Sequence, residues 1–182
     1  GTVVIPLTPT ISVNTVAAEY KIRMTPKSHA AMPLPPGATY SVTGNVSTWV
    51  GANTKTGTDT GAPDTTITID NTSPGNVTSF VGTPGNAQVA FTWVNPADAD
   101  LNSVVILRKP SSTSTTDKPA EGGSYTVGQV INTDNTVACV VSSPTASCTD
   151  TAVTNGVIYY YRGFAKDNSG NYTNFGVGIG PY

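Results

Sequence analysis

From Asp150 to Asp167 the chain reads Asp-Thr-Ala-Val-Thr-Asn-Gly-Val-Ile-Tyr-Tyr-Tyr-Arg-Gly-Phe-Ala-Lys-Asp, and few folds can accommodate that stretch. Asn155-Gly156 supplies the positive-φ positions of a tight corner. Beyond the corner, Tyr159, Tyr161, Gly163 and Ala165 fall on one side of an extended chain, with Tyr160, Arg162 and Phe164 on the other. Only a strand has that period of two. A strand so rich in aromatics needs an apolar layer to face, which predicts the interior of a β-sandwich with Tyr159 and Tyr161 in its core. Tyr160 and Phe164 then point away from the core, either covering a neighbouring domain or forming a contact surface.

The rest of the composition agrees with an all-β chain. Thr, Ser, Asn, Gly and Pro dominate, and no helix-length run of good helix formers occurs in the 182 residues. That length holds one large β-domain or two small ones. Charged residues are only 11%, net charge is −2, and no Lys/Arg cluster appears, which argues against nucleic acid or anionic membrane surfaces as partners. The longest apolar run, Val104 to Leu107, is strand-sized and far short of the roughly 20 residues of a membrane span. The start at Gly1, without Met or a charged leader, suits a mature exported chain. Cys139 and Cys148 flank a turn at residues 142–146 that can fold two strand ends together. A disulfide in an oxidising compartment is the expectation, with two unpaired thiols as the alternative.

Along the chain, residues 1–16 carry Val3, Val4, Ile5, Leu7, Ile11 and Val13, interrupted by Pro6 and Pro9. Proline cannot donate to a ladder, so this segment reads as an extended arm, able to leave its own domain. Residues 17–72 form a small β-unit that opens on a one-sided strand, Ala18, Tyr20, Ile22 and Met24 alternating with Glu19, Lys21 and Arg23. The first 70 residues hold four or five strand segments, fewer than the seven of a complete sandwich. The unit therefore either packs on the second one or takes a strand from another copy. A turn-rich boundary at Asp70 to Gly75 follows. Residues 76–182 then show short strands at regular intervals, including Gln88 to Val94, where Val89, Phe91 and Trp93 alternate inward. Pro110 to Gly123 is a long polar excursion of the kind found at a sandwich edge.

Several segments carry a family likeness: Asn76-Val-Thr-Ser-Phe80, Gln88-Val-Ala-Phe-Thr-Trp93, Val104-Val-Ile-Leu-Arg108, Thr154-Asn-Gly156, Tyr159-Tyr-Tyr-Arg162 and Ala165-Lys-Asp-Asn-Ser-Gly-Asn-Tyr172. Through them, residues 76–182 resemble the fibronectin type III-like modules of secreted and surface proteins. The resemblance implies a core Trp on the second strand, matched by Trp93, and a tyrosine corner at Tyr159, with Val153 in place of the usual Leu. Gly163 departs from the pattern by standing where a β-branched residue is usual. Residues 1–70 carry no motif of a known family.

Chemistry has little to work with. His29, the only histidine, lies in a proline-rich loop without a nucleophile motif, so triad catalysis and a two-histidine zinc site are disfavoured, and the chain reads as no enzyme. No phosphate-binding loop of the GxxxxGK[ST] type occurs. Asp98 and Asp100 read as turn residues bonding their own backbone, with a calcium site as the alternative; no other cofactor is indicated. Trp49 borders a polar loop, either half-buried at a strand end or exposed as a platform for sugar stacking. These readings favour a secreted, cell-surface structural subunit that self-assembles into a layer or filament through strand or arm exchange. Its partners would be other copies of itself or other surface proteins. The alternative is an adhesion module that binds a carbohydrate or another ligand as part of a larger secreted protein.

Overall fold

The computed structural model describes residues 36–42, 65–110, 117–174 and 176–182. The predicted arm at residues 1–16, His29, Trp49 and most of the predicted unit at 17–72 lie outside the described residues. Where β-branched residues alternate with polar ones the chain is extended, and ten strands form among the described residues. β1 (Thr39–Val42) and β2 (Thr65–Thr68) pair antiparallel as a two-stranded sheet. β3 (Thr78–Gly85), β4 (Gln88–Val94) and β8 (Ser147–Asp150) form a three-stranded sheet in the order β3-β4-β8. Facing it is a five-stranded sheet of order β10-β9-β5-β7-β6, built from β5 (Leu101–Lys109), β6 (Val130–Ile131), β7 (Asn135–Ser142), β9 (Tyr160–Asp167) and β10 (Val177–Ile179). Every pairing is antiparallel.

The core between the sheets follows from the period of two. Val89, Phe91 and Trp93 of β4 point inward and are buried, as alternation predicts. They meet Phe80, Val104, Ile106, Cys139 and Tyr161. Phe91 and Tyr161 pack as a tilted pair with ring centroids 4.6 Å apart, and Trp93 stands edge-on to Phe80 at 6.3 Å. A side chain on Gly163 would touch Val77 and Phe80, whose atoms occupy the space a β-branched residue would fill.

The outer face of the five-stranded sheet departs from expectation. In β5, Val104 to Leu107 are all buried, so both faces of that strand are covered. A second cluster of Val105, Leu107, Val137, Phe164 and Tyr172 lies on the outer side, roofed by Tyr125 and Ile131. The chain after the polar excursion folds back over the sheet, and of residues 125–131 only the two of β6 are extended in the ladder. Phe164 is therefore not a contact surface: it is fully buried, and Tyr160 beside it is half-buried. The alternation of β9 was legible, but its second face meets this chain's own loop.

Candidate functional site

Arg108 on β5 reaches across to Asp150 at the end of β8, at the base of the sandwich. Its Nη1 donates to both carboxylate oxygens, at 3.0 and 2.8 Å, and to the Ala152 carbonyl at 2.7 Å. Asp150 also accepts from the Ala152 amide at 2.9 Å and from the Tyr161 hydroxyl at 3.2 Å. The guanidinium lies 5.2 Å from the centre of the Tyr159 ring. Asp150 is 3% exposed, so its charge is stabilised by this set of donors rather than by water. Burial, reinforced by the Asp150 charge, pushes the Tyr161 hydroxyl well above the usual tyrosine range. The structure thus divides the predicted corner between two tyrosines. Tyr161 is the buried ring whose hydroxyl ties strands together, while Tyr159 is half-buried against the edge of the core under Arg108.

Cys139 on β7 and Cys148 on β8 form a disulfide, and the two strands belong to opposite sheets. The turn between them is a corner from one sheet to the other, and the bond staples the sandwich across its core. Closing a loop with sequence separation 9 removes little unfolded-chain freedom compared with a long loop. Replacing both cysteines by serine is nevertheless expected to cost about 2–3 kcal/mol, read from urea unfolding of the variant beside the oxidised parent.

A third feature sits at the opposite end, where the chain enters the sandwich. Carboxylate oxygens of Asp70, Asp100 and Asp167 lie within 4.8 Å of one another. Asp167 is 1% exposed and accepts from the Asn171 amide and side chain, both at 2.8 Å. Oxygen donors so grouped could hold a hard divalent cation such as calcium. Of the two aspartates singled out in the sequence, only Asp100 belongs to the group. The Asp98 carboxylate instead accepts from the Gly75 amide at 2.9 Å, so in the alternative calcium reading Asp98 and Asp100 do not serve one site together. Asp70 and Asp167, distant in sequence, meet Asp100 only through the fold.

Desolvation raises the Asp100 carboxyl above its ordinary value, helped by a hydrogen bond with Asp70 and by the charges of Asp167 and Asp70. A raised folded-state value means that the folded chain holds this proton more tightly than the unfolded chain. Stability from this group therefore rises as pH falls through the folded value and is lost again as pH increases. Asp100→Asn is expected to melt above the parent at neutral pH, by no more than about 1 kcal/mol for a solvent-screened charge, with the difference vanishing in acid. Parallel thermal melts at both pH values check this.

Beside this end lies an open groove of about 550 Å³, lined by Trp93, Asn95, Pro96, Leu101 and Pro144. Trp93 is 5% exposed and donates its indole N–H to Asn95 Oδ1 at 2.7 Å, so it serves the core rather than an exposed platform. Among the described residues no helix is long and apolar enough to cross a membrane.

Strand order decides the architecture: β3-β4-β8 against β9-β5-β7, with the chain crossing between these two sheets after β4, β7 and β8, is the arrangement of immunoglobulin-type sandwiches. The fold is fibronectin type III-like. No family model matches the chain, and no curated protein matches it either. Among solved structures, it is similar to the spore cortex lytic enzyme SleM of Clostridium perfringens, with 14% identity, 67% of this chain covered and a TM-score of 0.41. The chain spans only 36% of that protein's length. It is also similar to a Fn3-like protein from Clostridium thermocellum, with 21% identity, coverage of 56% of this chain and 84% of that one, and a TM-score of 0.37. Domains d3–d4 of the rat CD45 extracellular region overlap 98% of this chain and 78% of theirs at 12% identity and a TM-score of 0.39.

Proposed function

We propose that the chain is a non-enzymatic structural module of an extracellular assembly, joined to other copies of itself through residues 1–16. The observation that supports this reading is the way the entry segment is fastened to the sandwich. Asn171 Nδ2 donates to the Asp70 carbonyl at 2.9 Å, and Thr173 Oγ1 to the Gly75 carbonyl at 3.1 Å. The Gly75 amide donates to Asp98, and Ser73 Oγ to Asn174 Oδ1. A segment held at four points transmits force into the sandwich rather than acting as a slack tether. The disulfide across the core fits an oxidising, extracellular setting. Division of the chain into an arm at 1–16, a small unit at 17–72 and a sandwich at 76–182 belongs to the same proposal. Deleting residues 1–16 from the full chain is expected to abolish layers or filaments in negative-stain microscopy while leaving a folded, soluble protein. Assembly that survives the deletion, or a parent that stays monomeric at every concentration, refutes the proposal.

A further inference from the structure

We propose that Lys118 and Asn174 become joined by an intramolecular amide, formed by the folded chain itself with Glu121 carrying the protons. Lys118 Nζ donates to Asn174 Oδ1 at 2.9 Å. Since a C=O bond is about 1.2 Å long, the amine nitrogen lies within roughly 4 Å of the amide carbon, close to the separation of a near-attack arrangement. The same amine is in ion-pair contact with Glu121 Oε1, while Glu121 Oε2 accepts from the Tyr172 amide at 2.7 Å. One carboxylate thus touches the nucleophile and grips the strand end that carries the electrophile. The Lys118 carbonyl is held by Asn132 Nδ2 at 2.8 Å, so the backbone behind the amine is fixed too. Ser73 Oγ donates to Asn174 Oδ1 at 3.4 Å, on the oxygen where negative charge would develop. The lysine and glutamate side chains are 23% and 28% exposed, so most of each lies out of water.

The step balances without any outside reagent. Glu121 accepts a proton from the Lys118 ammonium, and the neutral amine adds to Asn174 Cγ once rotation within the broad χ2 well turns the face of the amide toward it. The Nζ–Cγ bond forms and the Cγ–Nδ2 bond breaks. The leaving nitrogen departs as ammonium after receiving two lysine protons by way of the carboxylate, which ends ionised as it began. The product would fasten the loop over the outer sheet face to the turn between β9 and β10, 56 residues away. Lys109 offers an internal control: its amine lies between Asp117 and Asp134, and among the described residues no donor reaches the buried Oδ1 of Asn135.

Intact-mass spectrometry of the full chain, purified with its disulfide formed, tests the inference without reference to assembly. The expected mass is one ammonia below that of the sequence, and peptide mapping should find a branched species joining Lys118 to Asn174, with Lys109 unbranched. Glu121→Gln, Lys118→Arg and Asn174→Ala should each restore the full mass, with near-UV circular dichroism confirming that each variant folds. A parent of full mass overturns the inference. So does a deficit that persists in Asn174→Ala, which would trace to a cyclised asparagine elsewhere, such as Asn155 before Gly156.

Discussion

Asp150→Ala is expected to destabilise the sandwich by about 3–5 kcal/mol, because it leaves a buried cation without its counter-charge. Three donors share that carboxylate: Arg108 Nη1, the Ala152 amide and the Tyr161 hydroxyl. Arg108 would keep only the Ala152 carbonyl and the face of Tyr159, with its side chain 13% exposed and little water to compensate. The Tyr161 ring is fully buried, so its hydroxyl would lose its partner inside the core. Urea unfolding of Asp150→Ala, Arg108→Leu and the double variant measures this. The double variant should lose clearly less than the sum of the two single losses, since removing both partners leaves no lone charge. Additive losses would show that the pair is not coupled. The raised Tyr161 value adds an alkaline signature. Stability from this hydroxyl is intact below the unfolded value of about 10 and falls as pH rises beyond it, because only the unfolded chain ionises readily there.

For Phe164→Ala the expected loss is also about 3–5 kcal/mol, the range for emptying a buried phenylalanine site. Phe164 packs with Val105, Leu107, Val137 and Tyr172 under the returning loop. The fit is close enough that a side-chain carbon on Gly176, whose φ is +49°, would come within 2.7 Å of its ring. A phenylalanine on an open contact surface would behave differently, its truncation changing stability by no more than about 0.5 kcal/mol. Thermal or urea unfolding therefore separates the two roles, and a change within that smaller range would mean that the outer cluster contributes nothing to folding.

Some of this architecture is visible in local patterns and some is not. Val89, Phe91 and Trp93 could be placed in the core because alternation is a property of neighbouring residues, and burial follows from it without knowledge of the partner sheet. The same rule told which residues of β9 share a face but not what covers the second face. That depended on where residues 117–131 return, and they are polar in composition with only Tyr125 and Ile131 as roof. The disulfide was legible because both cysteines flank one turn. The acidic group was half legible: Asp100 drew attention, while Asp70 and Asp167 joined it from far along the chain. Lys118, Glu121 and Asn174 carried no motif, since three ordinary polar residues mean something only once they touch.

By itself, then, the stretch from Asp150 to Asp167 determined an extended, aromatic core strand and, with the spacing of the other strands, an all-β sandwich. Period, turn chemistry and residue volume act over a few residues at a time and leave their mark in the order of the letters. The tertiary structure alone decided that Tyr161 is the buried tyrosine tied to Asp150, that Phe164 lies beneath a loop, and that three aspartates meet where the chain enters the sandwich. Those outcomes depend on contacts between residues far apart in the chain, whose closure is set by the packing of whole sheets and loops rather than by any local preference.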